Sequence, residues 1–201
     1  MSAPARRATP LPPEERRASI IAATIPLLRL HGAAVTTAQI AMAAGIAEGT
    51  LFRVFPDKES LIKAAICTAF DPAPAERELD HIPATGTLRD RLIAAVEILQ
   101  RRVGGIWQLV SMLGMTGPPG MPAPPAPGPP RRLIAMFEGH RDELRCTPTQ
   151  AAHLIRVMTF AGTHPRISEG IPLTAAEIVA VVLDGIRIRS DLEADAEVPP
   201  C

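Results

Sequence analysis

The sequence predicts an all-α protein built from a three-helix helix-turn-helix head and a larger C-terminal helical bundle, with about nine helices in total. Two short helices are indicated around a glycine between Thr37 and Phe55, and later segments carry apolar residues at the spacing of buried helices. The length of 201 residues suits a small head joined to a larger bundle.

The first helix is predicted from about Glu14 to Leu30. Gly32 follows it and is the kind of residue at which helices commonly stop. Pro26 lies inside this segment and removes the amide that would bond the carbonyl of Ala22, so that we expect a kink there. The apolar stripe of this helix consists of Ile20, Ile21, Ile25, Leu27 and Leu28.

Two further helices are predicted on either side of Gly45, in the segment TTAQIAMAAGIAEGTLFRVF that begins at Thr36. Glycine adopts positive φ without steric cost, which suits the sharp turn between them. The small Ala41 lets the second helix cross close over the first. The residues expected in the buried seam between the two helices are Ile40, Ala44, Ile46 and Leu51.

The second helix of this pair is expected to leave a narrow polar face outside, because Leu51 and Phe55 are four residues apart and share the inward side. A narrow helix face fits the major groove of B-form DNA, which is about 12 Å wide, and presents its first residues to base edges. A plain helical hairpin within a bundle is the alternative interpretation. The outward residues are Glu48, Gly49, Thr50 and Arg53, with Phe52 at the edge.

Pro56 is predicted to end that helix, and another helix begins immediately after it. Proline disfavours helical φ and ψ at the preceding Phe55 and cannot donate a helical hydrogen bond. Asp57 is a good N-cap, and Lys58 then lies in the first turn, where its ammonium and the exposed amides could share a DNA phosphate. A solvated surface lysine is the alternative for Lys58.

The stretch HGAAVTTAQIAMAAGIAEGTLFRVFPDKESL, from His31 to Leu61, resembles the DNA-binding domain of the TetR family of bacterial repressors. The resemblance covers about the first 65 residues. The family usually has Ser, Tyr and His where this chain has Ala47, Phe52 and Val54, so that one N-cap hydroxyl and two polar DNA contacts are missing. Phe52 could still pack against a sugar or a thymine methyl. The predicted DNA-binding residues are Thr37, Glu48, Gly49, Thr50, Phe52, Arg53 and Lys58.

The chain is predicted to divide into a flexible N-terminal arm (1–12), a DNA-binding domain (13–66) and a ligand-binding and dimerisation domain (67–201). Residues 1–63 contain eight Lys or Arg and five Asp or Glu, a net charge of 8 − 5 = +3, which leaves 13 − 16 = −3 for the remainder. The basic side chains before and at the start of the first helix could neutralise phosphates or enter a minor groove, or could simply be solvated. They are Arg6, Arg7, Arg16 and Arg17.

The larger domain is predicted to follow a Pro-rich connector, DPAPAERELDHIPATG, that begins after Phe70. Thr87 can cap a helix that extends to about Arg102. One face of that helix is apolar and consists of Leu88, Leu92, Ala95, Val96 and Leu99.

Gly104 and Gly105 are expected to separate that helix from a short apolar helix from about Ile106 to Met115. The Pro-rich loop 117–130 can be neither helix nor ladder strand and is predicted to be an exposed segment of polyproline character. A surface linker is the favoured interpretation of this loop, and a ligand for an SH3-type domain is the alternative.

Three more helices are predicted at about 131–144, 149–161 and 174–189. The last, with the run AAEIVAVVLDGIRI, is apolar nearly all round, which is typical of a helix buried against several neighbours. Its own chain could supply all of those neighbours. In the resembled family the last two helices pair with those of a second subunit, which implies a homodimer. The predicted interface residues are Ile178, Val181, Val182, Gly185 and Ile186.

A two-fold symmetric dimer implies a palindromic DNA operator, and the resemblance implies release by an unidentified small-molecule effector. The larger domain concentrates flexible and large apolar side chains suited to a hydrophobic ligand, although ordinary core packing would explain most of them. The candidate pocket residues are Arg102, Trp107, Gln108, Met112, Met136, Phe137, His153 and Phe160. The predicted function is therefore transcriptional repression.

No enzyme, cofactor or metal site is predicted, since the three cysteines (Cys67, Cys146 and Cys201) form no CxxC pair and Cys146 has no zinc spacing to His153. Apolar runs are broken before the roughly 20 residues that span a bilayer, so that no membrane association and a cytoplasmic location are expected.

Two alternatives remain for the function. One is a metal- or thiol-responsive DNA-binding sensor that uses Cys146, and the other is a helical adaptor whose Pro-rich loop docks a partner.

Overall fold

A computed structural model describes residues 12–114 and 128–187, and these ranges fold into α-helices with two short 3-10 helices, at Gly32–Ala34 and Arg141–Glu143. The predicted all-α class, with a helix-turn-helix head and a larger helical bundle, is confirmed. In the described ranges every helix is too short or too polar to cross a bilayer. The α-helices are α1 (Pro13–His31), α2 (Thr37–Ala43), α3 (Glu48–Val54), α4 (Lys58–Phe70), α5 (Ala73–Asp80), α6 (Leu88–Met112), α7 (Arg131–Glu138), α8 (Pro148–Thr163) and α9 (Ala175–Ile186).

The first compact unit, the head, contains the described residues up to Asp71 together with the end of α6 from Gln108 onward. In the head α1 packs against α2, α3 and α4. The predicted first helix is confirmed, and it continues through Pro26 without interruption. Gly32 ends it with φ +57°, as its position in the sequence indicates. The buried core of the head is formed by Ile20, Ile21, Leu28, Val35, Ile40, Ala41, Leu51, Phe55, Leu61, Ala65, Ile66 and Leu109.

The helix-turn-helix forms from local signals that the sequence carries. Thr36 caps α2 in a capping box, in which its hydroxyl accepts from the Gln39 amide while the Gln39 side chain accepts from the Thr36 amide. Gly45 makes the turn with φ +65°. All residues of the predicted seam are buried or pack against the buried core of the head, which confirms the seam.

The second unit, the body, contains Pro72–Trp107 and the described residues from 128 onward. Its core gathers apolar side chains from α5 to α9, including Leu79, Leu92, Phe137, Ile155 and Ile178, each fully buried. Thr87 caps α6 by accepting from the Asp90 amide at 3.1 Å, and the predicted apolar face of that helix is buried throughout.

Two predicted breaks in the body are helical instead. The connector after Phe70 contains α5, because Pro72 and Pro74 lie at the N-cap and in the first turn, where a missing amide costs little, and Leu79 is buried in the core. Gly104 and Gly105 lie inside the continuous helix α6. Each glycine weakens a helix by only about 1 kcal/mol relative to alanine, and packing of the buried Leu99 and Leu109 on either side outweighs that cost.

The predicted boundaries also need revision. The division at residue 66 falls inside α4, which continues to Phe70 because Ala65 and Ile66 pack in the core of the head. The prediction of helix over 131–144 is too long, since α7 ends at Glu138. Three predicted segments lie outside the described residues: the arm up to residue 11, residues 117–127 of the Pro-rich loop, and residues 188–189 of the last predicted helix.

Candidate nucleic-acid interface

The outer face of α3 has the composition and exposure that its sequence predicts. Glu48, Gly49 and Arg53 are exposed, Phe52 is 47% exposed, and Thr50 is half-buried at the edge of the face. Apart from its chain neighbours and the backbone of its own helix, no atom of the described residues lies within 4 Å of the place where a Cβ on Gly49 would project, so that a second molecule can approach the backbone there closely. The inner face is fixed by Leu51, which is fully buried.

Two polar contacts organise this face. The Thr37 hydroxyl, at the start of α2, donates a hydrogen bond to the Glu48 carboxylate, at the start of α3. The Arg53 guanidinium donates to the Gly49 carbonyl and to the Thr50 hydroxyl, each at 3.5 Å. These last bonds are long, and Arg53 is exposed, so that a stronger acceptor can replace them at little cost.

The start of α4 is capped as predicted. The Asp57 carboxylate accepts from the Ser60 amide at 2.7 Å, and this hydrogen bond holds the pKa of Asp57 below its usual value. Lys58 is half-buried, and its ammonium donates to the Ala33 carbonyl at 2.8 Å. An ammonium carries three donors, so that this bond fixes the position of Lys58 without consuming its capacity to bind an anion.

One contact of the head has no signal in the sequence pattern. The Arg17 guanidinium, on α1, lies over the Phe55 ring with its Cζ 4.4 Å from the ring centroid. Phe55 follows α3 directly and is buried. The contact therefore ties the first helix to the end of α3, and it joins residues 38 positions apart that no local periodicity relates.

The eight predicted effector residues differ in exposure and in the unit to which they belong. Met136 and Phe137 are buried in the core of the body, while Gln108 and Met112 are exposed residues of the head. Arg102 is half-buried on α6. Residues in the middle of α6 therefore have different neighbours from residues at its C-terminal end. The sequence pattern did not indicate this difference.

Three rings of the body do form a cluster. Trp107 contacts His164 with ring centroids 3.9 Å apart and Phe160 with centroids 5.5 Å apart. The Trp107 Nε1 and Thr163 Oγ1 atoms are buried and have no hydrogen-bond partner among the described residues. His153 lies elsewhere, at an open cavity of about 440 Å³ that Cys146 also lines.

The predicted dimer residues divide between two faces of α9. Ile178, Val182 and Ile186 are spaced four residues apart and lie in the core of their own chain. Val181 is 60% exposed, and Gly185 is exposed beside it. On α8, which packs against α9, the side chains of Leu154, Val157 and Phe160 are also exposed.

The Cys146 thiol, which lines the same cavity as His153, is half-buried. Burial raises the pKa of the Cys146 thiol, which disfavours the reactive thiolate at neutral pH. Within 12–114 and 128–187 no group of three His, Cys, Asp or Glu side chains could hold a metal ion. Cys201 lies outside the described residues.

Part of the head matches the sequence pattern of a known protein family. Residues 20–65 match the family of bacterial regulatory proteins called the tetR family. No curated protein sequence matches the chain.

Solved structures share the fold. A TetR transcriptional regulator from Streptomyces coelicolor is 22% identical, with a TM-score of 0.53, and the match covers 87% of this chain and 99% of that one. A TetR-family regulator from Haemophilus influenzae is 12% identical, with a TM-score of 0.55 over 87% and 98% of the two chains. The protein RolR in complex with resorcinol is 19% identical, with a TM-score of 0.51 over 94% and 97%.

Proposed function

We propose that this TetR-family transcriptional regulator, identified by residues 20–65 and by its fold, is a homodimeric repressor that binds a palindromic operator and is released by a small apolar effector. The exposed face of α3 is the observation that carries the proposal. It combines a cation at Arg53, a flat apolar group at Phe52 and an unobstructed backbone at Gly49. Arginine is the side chain best suited to guanine edges, and an apolar ring suits the thymine methyl.

The homodimer is supported by the apolar side chains that α8 and α9 expose together. Helix α8 packs against α9, and both helices expose apolar side chains. Leu154, Val157 and Phe160 of α8 and Val181 of α9 are 40 to 60% exposed. A second copy that covers this surface would bury it, and the exposed Gly185 permits close helix contact. Two heads related by a two-fold axis would then read half-sites about one helical turn apart.

The effector part of the proposal is supported by the ring cluster at Trp107. A small ligand with a hydrogen-bond acceptor could satisfy the buried Trp107 Nε1 atom, which has no partner among the described residues. RolR, which has the same fold, was solved with resorcinol, a small aromatic molecule with polar groups. The raised pKa of the Cys146 thiol lends no support to the thiol-sensing alternative.

We expect Arg53→Ala to weaken binding to a specific operator by about 1 to 3 kcal/mol, because alanine cannot form the bidentate hydrogen bonds that arginine makes with a base edge. The measurement is a fluorescence-anisotropy titration of duplexes from the promoter next to the coding region. Arg77→Ala is the matched control, since Arg77 is an exposed arginine of the body and loses the same charge. Equal effects of the two substitutions would contradict a reading role for Arg53.

We expect Lys58→Ala to weaken binding to all duplexes alike, because an ammonium that contacts a phosphate carries no sequence information. The slope of log K against log[salt] should fall in magnitude by about 0.9 for each phosphate that the protein no longer neutralises. Lys63→Ala is the control, since Lys63 is an exposed lysine of the same helix. An unchanged salt slope in Lys58→Ala would contradict a contact between Lys58 and a DNA phosphate.

A further inference from the structure

A cleft opens on the head between the beginning of α1 and the outer side of α3. Its volume is about 320 Å³. The cleft contains half-buried as well as exposed side chains, so that it is a formed concavity of the folded head. Its lining residues are Pro13, Glu14, Arg16 and Arg17 of α1 and Thr50, Arg53 and Val54 of α3.

The cleft is cationic. Three guanidinium groups, those of Arg16, Arg17 and Arg53, line it against the single carboxylate of Glu14, a formal charge of 3 − 1 = +2. A guanidinium presents planar N–H groups that match the oxygens of a phosphate, and these charge-assisted bonds are about twice as strong as neutral ones. The lining therefore favours an anion with several oxygen atoms.

Arg17 is held in place for such a contact. Its guanidinium lies over the Phe55 ring at 4.4 Å, and Phe55 is buried, so that the ring is a fixed support. Stacking restrains the plane of the guanidinium and leaves the N–H groups at its rim. An ordered cation loses less conformational entropy when it binds an anion than a free surface side chain does.

The position of the cleft selects the source of the anion. Thr50, Arg53 and Val54 belong to the helix whose outer face is proposed to enter the major groove. A DNA strand that borders this groove carries a phosphate about every 3.4 Å. A backbone phosphate beside the groove can therefore reach the side of α3 that the cleft occupies.

We propose that this cleft binds a phosphodiester of the DNA backbone, which makes the beginning of α1 a second contact surface of the DNA interface. The inference rests on the proposed function and adds a site to it. Phosphate contacts fix the register and orientation of a protein on the duplex, whereas base contacts specify the sequence. The cleft thus orients α3, and Arg53 lies at the boundary between the two kinds of contact.

The first test removes the one carboxylate of the cleft. Glu14→Gln should tighten binding to all duplexes, by roughly fivefold at 0.15 M salt if it exposes the full effect of one phosphate contact. Glu15→Gln is the matched control, because Glu15 is exposed, lies in the same first turn of α1 and does not line the cleft. A tightening confined to Glu14→Gln supports the proposal, and equal effects of the two substitutions overturn it.

The second test removes cations from the cleft. Arg16→Gln and Arg17→Gln should each weaken binding to all duplexes by roughly fivefold at 0.15 M salt and lower the magnitude of the salt slope by about 0.9. Lys63→Gln removes the same charge from another surface of the head and should change both quantities less. Because Arg17 also covers Phe55, thermal unfolding is measured alongside, and Arg16→Gln decides the result if Arg17→Gln lowers stability.

Selection of duplexes from a random pool separates this inference from the proposed function. The cleft variants, Glu14→Gln, Arg16→Gln and Arg17→Gln, should enrich the same sequences as the unchanged protein. Arg53→Ala should instead relax the preference at one or more base positions.

If the unchanged protein enriches a sequence but the cleft variants bind DNA with unchanged affinity and unchanged salt slope, the cleft proposal fails and the proposed function stands. If inorganic phosphate binds the cleft while those variants keep wild-type DNA affinity, the site belongs to a free anion and the proposal also fails. If the unchanged protein enriches no sequence, the proposed function fails.

Discussion

Phe55→Ala is expected to lower the free energy of unfolding of the head by about 3 to 5 kcal/mol, the range for removing a large aromatic ring from a protein core. Phe55 is 1% exposed and packs in the core of the head with Leu51 and Leu61. The substitution leaves a cavity, and it also removes the ring on which the Arg17 guanidinium stacks. Urea or thermal unfolding followed by circular dichroism measures the change.

Phe52→Ala is the matched control for Phe55→Ala. Phe52 lies three residues earlier, within α3, and is 47% exposed. Its substitution should change stability by less than about 1 kcal/mol, because surface substitutions remove little buried area. It should instead weaken DNA binding if the ring contacts a sugar or a thymine methyl. A larger loss of stability in Phe52→Ala than in Phe55→Ala would invert the assignment of inner and outer faces.

Gly32→Ala is expected to destabilise the head by about 2 to 5 kcal/mol, through two costs that add. Gly32 has φ +57° and ψ −141°, a conformation that residues with a side chain rarely adopt. A Cβ at this position would also lie well inside the van der Waals distance of the Met112 carbonyl oxygen at the end of α6. Because that obstacle is backbone, no rotation of a side chain relieves it.

Gly45→Ala separates the two costs. Gly45 also has positive φ, +65°, but no atom of the described chain lies within 4 Å of the place where its Cβ would project. Its substitution should cost about 1 to 2 kcal/mol from backbone conformation alone. The difference between the two unfolding free energies reports the contact of Gly32 with Met112. Equal destabilisation in the two variants would show that the end of α6 does not pack closely against Gly32.

The head was predictable from sequence because its signals are local. Gly45 at the turn, Asp57 as the N-cap and Pro56 after α3 each act within a few residues, and the structure confirms all three. The body was less predictable because tertiary packing overrides local preference there. Gly104 and Gly105 indicated a break, yet the buried apolar stripe on both sides of them keeps α6 helical.

The candidate sites follow the same division. The exposed face of α3 was predictable, because the four-residue spacing of Leu51 and Phe55 fixes which side is inward. The inward and outward sides of α9 were not predictable, because apolar residues occur nearly all round that helix and the pattern does not distinguish its two sides. Ile178 and Val182 face the core of their own chain, whereas Val181 faces outward. Arg17 was predicted to belong to a basic cluster at the start of the first helix, but its contact with Phe55 depends on the crossing of two helices.

The division of α6 between two units has a consequence for protein engineering. Leu109, near its C-terminal end, is fully buried in the core of the head, although it lies 38 positions beyond Asp71, where the first segment of the head ends. An excised fragment that stops at residue 71 would lack a side chain that the core requires. Chimeric regulators that graft this head onto a foreign sensor must therefore transplant two separate stretches of polypeptide, and a single recombination point after α4 would leave a hole in the hydrophobic interior.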